Sequence, residues 1–321
     1  MNIDINTLHK NVGLKFEDQV YFDKENVEVV IKKYKYIFSD LDLSPIDDSH
    51  MQYGYNKSGN PIKLGFEGNL INRIVLVSDD NNYRRFKGVI AYDGHRYNGF
   101  QTQKNLPTIQ GELSRIITLV NNKETLVQGA SRTDTGVHAI NYTFHFDTDK
   151  LIPEEKWLEL INHQLPNDIS IKSIKEVHPL FHSRYDVYKK RYIYKINVGE
   201  VDPFNISYKW YTKDFNMSLL EENLKQLVGT HDFNSFCKGK PDDTVRTIFR
   251  ASVNRDNNDI ELIFEGNGFL RYMVRIIVKT LVEIASGKQK LSISEIIKEK
   301  SRANTKNLAP ACGLYLEEIM Y

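Results

Sequence analysis

Apolar and polar positions repeat along this chain with two different periods, and the periods succeed each other in a regular order. Phe86-Lys87-Gly88-Val89-Ile90-Ala91-Tyr92 reads as a strand, closed by the turn residues Asp93-Gly94. After Thr108, apolar residues at Ile109, Leu113, Ile116, Ile117 and Val120 fall at offsets that place one stripe on a helix. Tyr142, Phe144 and Phe146 then alternate with Thr143, His145 and Asp147, the pattern of a half-buried strand. Trp157, Leu158, Leu160, Ile161 and Leu165 predict a second helix, ended by Pro166.

The order recurs downstream. Arg191 to Ile196 predicts a strand, Leu219 to Val228 a helix ending at Gly229, Ile260 to Phe264 a strand and Phe269 to Ile284 a long helix. Two βαβ-like halves, residues 85–187 and 188–321, fit an α+β architecture with helices on one face of each sheet. No sequence repeat links the halves. Residues 1–84 differ. Val27–Ile31 and Ile71–Val77 read as strands, with turn signals from Tyr55 to Pro61 between them and Asp79–Asn82 as a link to the first half. A small β-rich N-terminal module is expected, and its sequence carries no functional signal.

Composition narrows the picture a little. The 321 residues are 40% hydrophobic and 26% charged, an ordinary globular balance. No apolar run reaches the length of a membrane span, and the first residues lack the pattern of a signal or transit peptide. Cys237 and Cys312 are too few and too far apart for a disulfide framework or a CxxC metal site, which fits a reducing, cytoplasmic setting. Net charge is +1. Residues 1–84 hold 10 Lys/Arg against 13 Asp/Glu, and the rest holds 33 against 29. That excess alone does not announce a polyanion partner.

Chemistry concentrates in one loop. Residues 129–138 read Gly-Ala-Ser-Arg-Thr-Asp-Thr-Gly-Val-His, between the apolar run Thr125–Val127 and the strand from Tyr142. Taken singly, its residues have bland explanations. A lone loop aspartate is usually a turn former. Arg275, on an apolar helix, suits a structural pairing. Tyr192 recurs with Tyr194 along a strand, and a core or cross-strand role is the default for one of them. His138 and His145 lack a third metal ligand at suitable spacing, so satisfied polar histidines are expected, as for His182. Lys32-Lys33-Tyr34-Lys35 reads as a solvated face. Asp134-Thr135-Gly136 also spells the D-T-G of aspartic proteases, but a single copy needs a dimer to pair two carboxylates, and an adjacent arginine opposes a shared proton.

The loop resembles the G-R-T-D-A-G-V-H active-site pattern of the TruA family of tRNA pseudouridine synthases. Tyr92-Asp93-Gly94, Tyr97 and Gly99-Phe100-Gln101 with Gln103 resemble that family's opening motif. Thr108 to Leu113, Asn162 with Leu165-Pro166 and Asp168-Ile169, Phe181 to Arg184, and Lys190 to Tyr194 follow in family order. Asp232-Phe233, Ser235-Phe236, the segment Gly268–Arg275 and Gly313 to Leu316 complete a match over residues 85–321.

The resemblance implies a pseudouridine synthase fold: two ferredoxin-like halves with joined antiparallel sheets and a central cleft. It implies isomerisation of uridine to pseudouridine in tRNA, at positions 38–40 of the anticodon stem-loop, by a homodimer without cofactor or metal. It implies Asp134 as nucleophile, Arg275 as its cationic partner, Tyr192 stacked on the target uracil and Arg132 filling the gap left by the flipped base. Arg184 and Arg191, with Lys190, are implied as phosphate contacts. These roles make physical sense, since a covalent carboxylate nucleophile must stay ionised inside an RNA-covered site. Ser131, Thr135, Phe100 and Lys279 depart from the family's usual glycine, alanine, tryptophan and glycine. A catalytically inactive RNA binder on the same fold is the alternative; intact Asp134, Tyr192 and Arg275 speak against it.

Overall fold

A computed structural model describes residues 51–55, 61–67, 70–76, 83–239 and 241–321. The first three segments are strands β1 (Met51–Tyr55), β2 (Pro61–Glu67) and β3 (Leu70–Leu76), paired antiparallel in that order. β3 takes up the strand predicted from Ile71. The predicted strand Val27–Ile31, the Lys32–Lys35 run, the turn residues 56–60 and the link Asp79–Asn82 lie outside the described residues.

All other strands among the described residues join one sheet. They are β4 (Arg84–Tyr92), β5 (Gln128–Gly129), β6 (His138–Thr148), β7 (Ile169–Val177), β8 (Lys189–Asn197), β9 (Trp210–Tyr211), β10 (Gly229–Asp232), β11 (Val245–Asp256), β12 (Asp259–Gly266) and β13 (Leu314–Met320). The path is β10-β11-β12-β8-β13-β6-β4-β7, with β5 paired to β6 and β9 to β8. Every pairing along that path is antiparallel except the seam, where β13 runs parallel to β6. The seam matters for the site. β6 begins directly after the 129–138 loop, and β13 pairs on its other side with β8, Leu316 opposite Tyr192. Neighbouring strands lie about 4.8 Å apart, so the Asp134 loop and Tyr192 start within ~10 Å of each other.

Among the described residues there are five α-helices: α1 (Ile109–Asn121), α2 (Glu154–Gln164), α3 (Met217–Lys225), α4 (Met273–Ala285) and α5 (Ile293–Glu299). α1 begins where its sequence says it should: the Thr108 side chain accepts a hydrogen bond from Gly111 N. Its predicted stripe is buried at Ile109, Leu113, Ile116 and Ile117. Trp157 on α2 meets Phe86 of β4 at 6.0 Å and Phe146 of β6 at 5.1 Å between ring centroids. Gly88 lets the Phe144 ring cross the neighbouring strand, for a Cβ there would sit 2.3 Å from Phe144 Cζ.

Two expectations need correcting. β6 is not half-buried: Thr143 and His145, on the face expected to meet solvent, are 2% and 3% exposed. The turn from Leu180 to Asp186 covers that face, with the Ser183 hydroxyl 2.8 Å from His145 Nδ1. The long helix starts at Met273 rather than Phe269, because Tyr272 adopts φ 63°, a left-handed conformation that a helix cannot continue through.

Candidate active site

The loop carrying Asp134 is held by the segment that comes after β4. The Tyr92 hydroxyl lies 3.0 Å from the Thr133 hydroxyl. Phe100 N donates to Thr133 O, and Gly136 N donates to Tyr97 O. Gly99 must be glycine: its φ is +83°, and a Cβ would stand 2.3 Å from Thr133 O. From β6, the Tyr142 hydroxyl receives Ser131 N and donates to Ser131 O, while Ala130 N bonds Thr143 O. Lys190 Nζ adds a bond to Ala130 O at 3.3 Å. The loop's shape is therefore set by backbone, aromatic and Lys190 contacts, which leaves the Asp134 and Arg132 side chains uncommitted to holding it.

Asp134 Oδ2 lies 3.2 Å from Arg275 Nη1. Arg275 sits in the first turn of α4, and its Nε donates to Ala309 O at 2.8 Å. Ala309 N in turn donates to Arg275 O. The guanidinium is thus oriented before any substrate arrives. Burial raises the Asp134 carboxyl above the ordinary aspartate value, and the nearby charges of Arg275 and Arg271 oppose that shift. Tyr192, 7% exposed, packs edge-on against Phe269 at 5.1 Å. Burial pushes its phenol up to about 12, so it stays neutral.

Asp134 and Tyr192 line a cleft of about 700 Å³; Arg275 is not among its lining residues and reaches the site through its ion pair with Asp134. Arg132, Asp134, Arg184, Lys190 and Tyr192 all line it. Arg191 does not. Strand alternation turns it to the other face of β8, where its Nε lies 2.9 Å from Glu265 Oε1, with Glu317 and Glu318 at 3.7 Å. Sequence reasoning passed over two other members of the wall. Arg271 adds a fourth cation beside Arg132, Arg184 and Lys190, with Asp134 as the lone acid among the lining residues. Tyr272 lies under the guanidinia of Arg271 and Arg275, at 5.0 and 5.4 Å from its ring centroid. The four-residue spacing of Arg271 and Arg275 was the available signal. A net charge of +1 averages this local excess away.

Phe100 stacks on Tyr142 at 4.2 Å, so it serves the loop scaffold as an aromatic ring. Lys279 lies over the Trp210 ring and near Glu283, outside the cleft. The histidines are satisfied: His138 between Asp93 and Ser207 O, His145 by Ser183. The D-T-G reading finds no support, since Asp134 faces a guanidinium where a protease needs a second carboxyl. Among the described residues no helix is long and apolar enough to cross a membrane.

Comparison with known proteins agrees with this geometry. The sequence pattern of a family described as tRNA pseudouridine synthase matches residues 89–186 and 224–321. A tRNA pseudouridine synthase A from Anoxybacillus flavithermus is 40% identical over 243 residues, 74% of this chain and 99% of the relative. Its counterpart from Brevibacillus brevis is 40% identical over 243 residues, 74% of this chain and 100% of the relative. That of Staphylococcus aureus is 37% identical over 235 residues, 72% and 89% of the two chains. With that coverage and that order of motifs, the chain belongs to the TruA family of tRNA pseudouridine synthases.

Proposed function

We propose that the protein converts uridine to pseudouridine in tRNA, with Asp134 as the nucleophile. The observation that carries this is Asp134, ion-paired with Arg275 and lining a cationic cleft that Tyr192 also lines. The isomerisation breaks the C1′–N1 bond, turns the uracil, and forms a C1′–C5 bond; C5 loses a proton and N1 gains one. An ionised carboxylate can add to the substrate and leave again, and Arg275 keeps it ionised against the pull of burial. Tyr192, neutral and flat, offers a face for an unstacked base. Arg132, exposed in the loop beside Asp134, can enter the helix position that the flipped base vacates. Arg184, Lys190 and Arg271 suit phosphates. Arg191, engaged with three glutamates, is left the weaker candidate for such a contact.

The finer reading assigns the reaction to positions 38–40 of the anticodon stem-loop and assigns two protomers to one tRNA. The exposed apolar side chains of Val201, Phe204 and Ile206, on one segment after β8, support a surface that pairs with a second copy. We also take 1–84, 85–187 and 188–321 as the working divisions of the chain, the last two meeting at the β6–β13 seam. The test is pseudouridine formation in tRNA transcripts by wild type and by Asp134→Ala. Product with the first and none with the second is expected. Binding without product from wild type would favour an inactive RNA binder.

A further inference from the structure

The turn from Leu180 to Asp186 brings Arg184 to the cleft, and two parts of the molecule hold it. Its first half is tied to the main sheet. Arg85 Nη1 donates to Phe181 O at 2.7 Å, the Ser183 hydroxyl donates to Gln128 O at 2.9 Å, and the Tyr321 hydroxyl donates to Ser183 O at 2.6 Å. Its second half closes on Asp186. Asp186 N donates to His182 O, and Asp186 Oδ2 receives His182 N at 2.6 Å. Asp186 Oδ1 meets the ammonium of Lys63, which comes from β2 of the N-terminal sheet. Lys63 Nζ also donates to Leu180 O at 3.1 Å, so one ammonium grips both ends of the turn. The side chains of this pair are 5% and 0% exposed. Full burial of a lysine and an aspartate is uncommon, and removal of one partner leaves an uncompensated charge.

We propose that Lys63 is a positioning residue: it clamps the Leu180–Asp186 turn so that Arg184 is held ready at the cleft, and it couples the N-terminal sheet to tRNA affinity. The family match begins at residue 89, so this clamp reaches into the catalytic body from a part of the chain outside that match. Arg184 lies two residues from Asp186 and has no ion pair of its own among the described residues. Its reach to a phosphate then depends on the backbone that carries it. The proposal rests on the reading of the cleft as a tRNA site.

The experiment compares tRNA equilibrium binding and single-turnover rate for full-length wild type, Lys63→Met, Lys63→Arg, Arg184→Ala and the double variant Lys63→Met/Arg184→Ala. Lys63→Met should weaken tRNA binding about 3- to 10-fold, no more than Arg184→Ala does, and leave the rate at saturating tRNA within about twofold; Lys63→Arg should restore most of the affinity. In the Arg184→Ala background, Lys63→Met should add less than about twofold, because the clamp acts through Arg184. Unchanged affinity in Lys63→Met, or a loss that multiplies in full on Arg184→Ala, overturns the proposal. Should Lys63→Met not fold, Lys63→Met/Asp186→Asn removes both charges and leaves none orphaned. It should show the same loss of affinity, and wild-type affinity in that variant equally overturns the clamp. If wild type binds no tRNA, the reading of the cleft fails instead, which is a separable result.

Discussion

Two loops reach the same cleft and meet it in opposite states. The Asp134 loop ends in a side chain already paired, 3.2 Å from a guanidinium that Ala309 fixes in place. The 180–186 turn ends in Arg184, exposed and without an ion pair among the described residues. Both loops are tied to the rest of the fold by hydrogen bonds to their backbones. The difference lies in what each side chain awaits. A reacting carboxylate must have its charge state set in advance, because nothing in the substrate can supply a cation at the right moment. A phosphate contact gains from staying solvated until the polyanion arrives, since binding then releases counterions.

The largest effect should come from the paired side. Asp134→Asn keeps the size of the side chain but removes the charge that the proposed nucleophile needs. Turnover should fall by at least ~10⁴-fold while tRNA affinity stays within about threefold. A variant that loses binding as well would make Asp134 a structural residue. Next comes Arg275→Met, expected to cost ~10²-fold in turnover. It also has a signature in pH. Activity needs the carboxylate, burial already raises its pKa, and Arg275 is the main group that lowers it. Activity should therefore disappear as pH falls through that raised value, and Arg275→Met should move the acid limb of the rate profile to higher pH. An acid limb that stays where it was would mean that Arg275 orients Asp134 without setting its charge.

A third effect separates the two loops by what lies beneath them. The 180–186 turn is built on histidines that act as acceptors: His145 Nδ1 receives Ser183 N, and His182 Nδ1 receives Arg184 N. Burial, with Arg85 and other nearby cations, pushes the pKa of His145 down to about 2; burial foremost pushes His182 down to about 4. Folded pKa values below the unfolded value of 6.5 mean that stability is present above that pH and lost as pH falls. The loss attributable to His145 should be about 1.4 kcal/mol per pH unit below 6.5. Thermal melts between about pH 7 and pH 5 should show it, and His145→Gln should flatten the dependence. Equal slopes for the two proteins would mean that His145 already carries its proton in the fold.

How much of this was legible in the sequence depends on the same divide between local and distant causes. The Thr108 cap, the α1 stripe and the strands at Phe86, Tyr142 and Ile260 are local patterns, and they fold as they read. β7 and β11 escaped a reading by periodicity. β7 interleaves Lys172 and Lys175 with its apolar residues, and β11 carries Arg246, Arg250 and Arg255 on a largely exposed strand. The covered outer face of β6 depends on a turn distant in sequence, Ser183 lying 38 residues beyond His145. Of the site, Asp134, Arg275 and Tyr192 came through the ordered motifs rather than from any single residue. Strand alternation, already visible at Tyr192 and Tyr194, was enough to turn Arg191 away from the cleft. Arg271 stands four residues before Arg275, a spacing open to reading, but that both guanidinia lie over the Tyr272 ring at the cleft wall came only from the structure.

The smallest effects belong to the unpaired side, and they are the ones most able to break the comparison. Arg184→Ala and Arg132→Ala should each weaken tRNA binding only about 3- to 10-fold, because each removes one solvated contact among several. Their mark is in salt. Removing one phosphate contact should flatten the slope of log affinity against log salt by about 0.7 to 0.9, depending on whether the strand touched is single or paired. Arg191→Gln supplies the contrast, since Arg191 sits on the opposite face of β8 with Glu265. Its slope should match wild type. If Arg191→Gln flattened the slope as Arg184→Ala does, tRNA would have to reach both faces of β8, and the cleft would no longer mark the boundary of the RNA-binding surface. If Arg184→Ala left the slope unchanged, then an exposed arginine on a clamped turn would have a role other than meeting phosphate, and the contrast between a prepared reacting group and a waiting cation would fail at its simpler end.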